Sequence, residues 1–362
     1  MEDKRFETSI SRRKWMGLAA LGGLGSASLK GLEAGTEAST SDHRVTLRAG
    51  DLEAMVVDNH DGLAGEEQKK RRAAIPELPG KLGSLYCTVP FEERFNGYNG
   101  VPRLKYRDSA HPFLASASGL NCEFFFDEKR WSFEPRWKDM DRFQAQPSRV
   151  KWISDHEAHL EIDAGEDWGV EVETTYRLEA PYFLDIEHSF TPTREDKLGG
   201  NFLGAFWANY IQAPRNPGYY IWGRVSPRAR ASWHNIYDAL QLETVGVIGA
   251  ETGPVGGSLR GTKRLLFDLS PVRYVEPLMA GRVHGMLLAF LFQPSENLEI
   301  RPAFNGQGGG VGVPAWDYQA VVPNPRVGRR YSFKVRVVYK PFEALDEALD
   351  LHRQWKDRIL KL

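Results

Sequence analysis

From residue 45 onward, apolar and polar side chains alternate with a period of two, broken by clusters of Gly, Pro, Asn and Asp. That pattern predicts half-buried strands joined by turns. In residues 168–178, Trp168, Val170, Val172, Thr174, Tyr176 and Leu178 share one face, while Glu171, Glu173, Thr175 and Arg177 share the other. Leu184, Ile186, His188 and Phe190 repeat the pattern against Asp185, Glu187 and Ser189, which makes His188 a core histidine. Upstream, Ala158, Leu160 and Ile162 alternate with Glu157, His159, Glu161 and Asp163. Three such runs with short connections predict an antiparallel meander with one charged face. Similar runs occur at residues 45–57, 120–126, 202–211, 219–225, 286–292 and 331–339.

Helical spacing is scarce. Phe342, Leu345, Leu349, His352, Trp355, Ile359 and Leu362 recur every three or four residues after Pro341, which predicts a C-terminal helix over 342–362. Glu343, Asp346 and Glu347 lie early, and Lys356, Arg358 and Lys361 late, as the helix dipole favours. Residues 58–79 are polar, contain Lys69-Lys70-Arg71-Arg72, and read as a surface insertion. A propeller would repeat every ~40 to 50 residues, and the chain shows no such self-similarity. No boundary divides the strands. A single all-β domain over residues 39–362, closed by its helix, is the expectation.

Several segments point to a family. The opening strands at 45–59 are followed by Gly119-Leu120-Asn121-Cys122-Glu123, Ala205-Phe206-Trp207-Ala208-Asn209-Tyr210 and Pro314-Ala315-Trp316-Asp317-Tyr318-Gln319. Together they resemble a group of exported bacterial proteins with the galactose mutarotase-like (aldose 1-epimerase superfamily) fold, over most of residues 45–340. The resemblance implies a large antiparallel β-supersandwich. It also implies a superfamily of sugar epimerases, glycoside hydrolase and polysaccharide lyase domains, and carbohydrate-binding modules, so fold alone does not choose the reaction.

The first residues read as an address. Ser11-Arg12-Arg13-Lys14-Trp15-Met16 precedes a short stretch of small and apolar residues, the layout of a signal peptide. The paired arginines resemble a twin-arginine export signal, with Trp15 and Met16 where Phe and Leu are usual. Residues 1–38 are therefore expected to engage the twin-arginine translocase, with cleavage after Ala34 or Ala38, and to deliver a periplasmic or secreted protein. Cys87 and Cys122 are the only cysteines. An oxidising destination permits a disulfide between them, and two buried thiols fit the sequence equally.

Composition narrows the partners. The 362 residues are 41% hydrophobic and 12% aromatic, which excludes a disordered chain. With 47 basic against 48 acidic residues, there is no electrostatic case for nucleic acid. Beyond the signal no apolar stretch reaches the roughly 18 residues of a membrane span. No cofactor or metal motif is present, and the Gly-rich segment 306–312 lacks the lysine of a phosphate loop. What remains is sugar chemistry, which needs flat rings for the C–H faces and planar polar groups for the hydroxyls. Trp207, Asn209, Tyr210, Trp222, Arg282, Asn305 and Trp316 supply those types and are the candidate substrate-binding residues. His234, His284, Asp317 and Glu123 are the candidate acid–base groups. Convergence of Trp207, Asn209, His234, Arg282, His284, Trp316 and Asp317 on one concave site is the expectation, with an enzyme of glycan breakdown or a non-catalytic carbohydrate-binding or assembly protein as its two outcomes. The export reading has a direct test. Replacing Arg12 and Arg13 with Lys should hold the protein in the cytoplasm, and normal export of that variant, followed by fractionation, refutes it.

Overall fold

The meander is present as Glu157–Ile162, Val170–Glu179 and Phe183–Pro192, paired antiparallel in succession. Along Val170–Glu179 the residues at even positions are buried and their neighbours are more exposed, as the alternation requires. The structure is a computed structural model that describes residues 40–41, 43–59, 99–107, 119–128, 131–132, 148–211, 214–237, 244–251, 267–293, 298–306 and 313–359. The twin-arginine segment, both cleavage positions, Cys87, Lys69–Arg72 and most of the Gly-rich segment lie outside them.

The meander belongs to a ten-stranded sheet. Its order is Ser232–Ile236, Tyr219–Arg224, Leu278–Val283, Met286–Gln293, Tyr331–Pro341, Phe183–Pro192, Val170–Glu179, Glu157–Ile162 and Ser148–Ser154, with Arg273–Tyr274 beside Tyr219–Arg224. A seven-stranded sheet runs Phe267–Leu269, Thr244–Gly246, Glu299–Asn305, Ala315–Pro323, Phe202–Ala208, Asn121–Phe126 and Trp131–Ser132. Every pairing in both is antiparallel except that of Thr244–Gly246 with Phe267–Leu269. A third, four-stranded sheet contributes Leu47, Ala54 and Leu104 to the same core. The run at 45–57 is not one strand but a hairpin, Arg44–Ala49 and Leu52–Val57, because Gly50 turns the chain at a φ of 57°.

The two large sheets face each other across that core. Gly281 of the larger sheet lies against the Trp316 ring of the smaller, and a Cβ there would come within 2.5 Å of it. Trp207 stacks on Tyr318 with ring centres 5.7 Å apart. His188 bridges the sheets: fully buried, it shares hydrogen bonds with Thr174 Oγ1 at 2.9 Å on its own sheet and with Tyr318 Oη at 2.7 Å on the opposite one. The charged face of the meander points outward and is matched by bases, with Arg149 on Asp163, Arg177 on Glu157 and Arg330 on Glu173. Cys122 is a free thiol in the core.

The C-terminal helix spans Asp346–Ile359, starting four residues later than its spacing suggests. Phe342 N–H donates to Gly285 O at 3.0 Å, so residues 342–345 are held to a hairpin instead of entering the helix. Ala348, Leu349 and Trp355 then cover the outer face of the larger sheet over Leu278, Leu287 and Leu291. No helix among the described residues is long and apolar enough to cross a membrane.

Burial holds the His188 imidazole down at about 3, against 6.5 for an ordinary histidine. Below 6.5 the unfolded chain binds a proton that the fold refuses. This contribution is therefore intact above 6.5 and lost as pH falls toward 3, at about 1.4 kcal/mol per pH unit. His188→Gln should remove that one-proton slope. Denaturation midpoints of both proteins across this window check it, and parallel slopes would contradict the assignment.

Candidate functional site

The outer face of the seven-stranded sheet carries polar residues where a solvent-shielded surface should be apolar. Strand Ala315–Pro323 sends Trp316, Tyr318, Ala320 and Val322 into the core, so Asp317 and Gln319 take the outer face. Beside it, Glu299–Asn305 buries Ile300 and Phe304 inward and turns Glu299, Arg301 and Asn305 outward. On the other side Phe202–Ala208 places Phe206 outward, next to Phe124 of Asn121–Phe126. Phe124, Phe206, Gln319 and Arg301 are successive cross-strand partners, one row across four strands. Trp207 pairs with Cys122 and Phe206 with Phe124, which leaves Glu123 as the extra residue of a bulge. Bulges re-aim side chains in this way. One row below, Gly204 is required, because its Cβ would sit 2.1 Å from the Phe126 ring that lies across it.

The polar groups fall into three kinds. Arg301 and Glu299 form a buried ion pair, Nε to Oε1 at 2.6 Å, and so neutralise each other. Tyr210 Oη donates to Glu123 Oε2 at 2.8 Å. Asp317 Oδ1 accepts from the Asn209 N–H at 2.8 Å. Burial pushes the Asp317 carboxyl well above the usual carboxylate range, the Asn209 hydrogen bond opposes that rise, and the charge of Glu123 adds to it. Asn121 and Gln319 are different: both are fully buried, and neither the nitrogen nor the oxygen of either amide meets a hydrogen-bonding group. Each unmet group of this kind costs roughly 1–3 kcal/mol, so two whole amides on one face are a large concession by the fold. Among the described residues no group of His, Cys, Asp and Glu is arranged to hold a metal ion.

Of the residues singled out in the sequence, Asp317, Glu123, Tyr210 and Asn305 share this face. Asn209 lies beneath it with its amide used internally: Oδ1 accepts from Leu120 N–H at 2.7 Å and Nδ2 donates to Trp316 O at 2.9 Å. Trp207 and Trp316 point the opposite way, into the core, and Trp316 Nε1 donates to Pro217 O. Trp222 packs edge-on against Trp233 beside the C-terminal helix. His234 sits on the outermost strand of the larger sheet, near Ser232 Oγ and Gly223 O. His284 and Arg282 belong to a hairpin of the larger sheet. Convergence of all these residues on one concave site is therefore not what the structure shows, because strand alternation sends neighbouring candidates to opposite faces. Asn121, Gln319, Arg301 and Glu299 were missed. Their signal was available: polar residues at i and i+2 on strands whose other face is wholly apolar.

No protein-family model matches the chain, and no curated protein matches it. Solved structures resemble it in architecture. A putative aldose 1-epimerase from Escherichia coli K12 is 12% identical, with 83% of this chain and 100% of that one covered at a TM-score of 0.35. A mutant of the heparan sulfate lyase HepC from Pedobacter heparinus is 8% identical over 87% of this chain and 38% of that one, at 0.43. A GalM/aldose epimerase homologue from C. elegans is 8% identical over 84% and 100%, at 0.36. These likenesses assign no residue of the polar face.

The raised Asp317 carboxyl has a measurable consequence. The folded chain keeps a proton that the unfolded chain releases above 3.8, so this contribution is full below that value and is lost as pH rises through the folded value. Asp317→Asn keeps the acceptor for Asn209 and removes the titration. Its stability relative to the parent should therefore rise as pH is raised above about 4, by up to about 1.4 kcal/mol per unit. A constant difference measured by denaturation across that range would show that Asp317 is ionised in the fold.

Proposed function

We propose that this chain is an exported carbohydrate-active protein, and that the polar face of the seven-stranded sheet takes a sugar and performs acid–base chemistry on it. The observation that carries the reading is the pair of buried, unpartnered amides of Asn121 and Gln319 beside Asp317. An amide offers a donor and an acceptor in one plane, which is what adjacent sugar hydroxyls ask for. Phe124 and Phe206 supply apolar surface on the same row.

Asp317 is the proton donor in this reading, since its carboxyl stays protonated where an ordinary one does not. Glu123, aimed by the bulge and hydrogen-bonded by Tyr210, is the second carboxylate. Two carboxyl groups on one face, one of them with its proton affinity raised by burial, are the equipment of glycosidic bond cleavage, which favours hydrolase or lyase chemistry over epimerisation. Asn209 positions Asp317 and touches no substrate. The Arg12-Arg13 start supports export, and so a reaction outside the cytoplasm.

Function and stability should separate at the amides. Asn121→Ala and Gln319→Ala remove unmet polar groups, so each should leave the fold as stable or more so while weakening glycan binding by about tenfold or more. Binding and product release, scored separately on a panel of poly- and oligosaccharides, check this, with denaturation midpoints alongside. Variants that lose stability and bind normally would return both amides to a structural role. In the same screen Asp317→Asn should cut turnover by about 10² to 10⁴. Binding without product release from the parent protein would assign it to carbohydrate binding instead of catalysis.

A further inference from the structure

On the opposite side of the sandwich lies a second feature that the polar face does not explain. The hairpin joining Leu278–Val283 to Met286–Gln293 turns through His284 and Gly285 with φ of 50° and 85°. Together with the segment before Tyr219–Arg224 and the lead into the C-terminal helix, it borders a cleft of about 580 Å³, within the range of small-molecule sites. Arg215, Asn216, Tyr220, Arg282, His284 and Phe342 line it, and no carboxylate is among its described lining residues.

Both arginines are uncompensated. Several other exposed arginines are paired, as Arg149 with Asp163 or Arg358 with Glu179. Among the described residues neither Arg215 nor Arg282 has an acidic partner. The Arg282 guanidinium lies 5.4 Å from the centre of the Phe342 ring, which orients it without neutralising it. Asn216 is fixed by accepting from Gly218 N–H at 3.2 Å, and its Nδ2 donates to Tyr220 Oη at 3.3 Å. The Tyr220 hydroxyl therefore directs its own proton elsewhere. Two guanidiniums and a hydroxyl donor around one apolar-walled space match the flat, multiply accepting shape of an oxyanion.

We propose that this cleft is a ligand site for a carboxylate- or sulfate-bearing small molecule, separate from the polar face and gripped by Arg215 and Arg282. The attraction acts in a cleft open to solvent, so it is screened by salt.

Calorimetric titration of the full chain with glucuronate, glucose 6-sulfate and glucose tests it. The two charged sugars should bind at least tenfold more tightly than glucose, and the better of them names the oxyanion. That preference should shrink at least tenfold in Arg215→Ala/Arg282→Ala, and shrink again when salt is raised from about 0.05 to about 0.5 M. Both side chains are exposed, so the variant should keep its denaturation midpoint. Equal binding of all three sugars, or a preference unmoved by the arginine changes, would overturn the site. A charged sugar whose binding depends on Gln319 and not on the arginines would also overturn it, while leaving the reading of the polar face intact.

Discussion

The site depends on how one buried side chain, Asn209, ties three segments of chain together. Its amide oxygen takes the Leu120 N–H, its amide nitrogen gives to Trp316 O, and its backbone N–H gives to Asp317 Oδ1. Trp316 N–H returns a bond to Asn209 O. These contacts fix the register of Ala315–Pro323 against its neighbours. In a strand, a slip of one residue exchanges the two faces completely. Here it would push Asp317 and Gln319 into the core and turn Trp316 and Tyr318 outward. Core and site are thus two readings of one register, and Asn209 sets both.

The opposite face of that strand explains why the sheet tolerates so much buried polarity outside. Trp207, Tyr318, Phe333 and His188 interlock with ring centres 4.6 to 6.2 Å apart. His188 adds a hydrogen bond between the sheets, where a purely apolar contact would leave Tyr318 Oη unmet. A core of this kind leaves its strands little freedom to move. Polar groups mounted on the back of such strands keep their mutual geometry without having to satisfy one another, which is the preorganisation that electrostatic catalysis needs.

The fold was legible because period-two alternation is written residue by residue. Glu157, Glu171, Glu173, Asp185 and Glu187 against Ala158, Val170, Val172, Leu184 and Ile186 are enough to place three strands. The site was less legible for the same reason. Trp207 and Trp316 stand in polar company in the sequence, yet each is one residue away from the outer face, and ring-rich segments read as clefts only when the face is known. His234 and His284 drew attention as groups that titrate near neutral pH, but they fall on other parts of the larger sheet. Asn121 and Gln319 lay inside the segments that carried the family resemblance. Their spacing of two from Glu123 and Asp317 marks a shared polar face in the sequence, but their lack of a partner, which singles them out, is not recorded there.

Charge separates the two sides of the molecule. On the polar face Arg301 pairs with Glu299, and burial raises the Asp317 carboxyl well above the usual carboxylate range. The cleft across the sandwich differs: among the described residues Arg215 and Arg282 have no acidic partner, and no carboxylate is in its described lining. A chain that placed its anion recognition on the polar face would have to disturb the Arg301–Glu299 pair, leaving a buried charge unmatched at a cost of about 3–5 kcal/mol. Keeping the arginines on the far, solvated hairpin avoids that conflict.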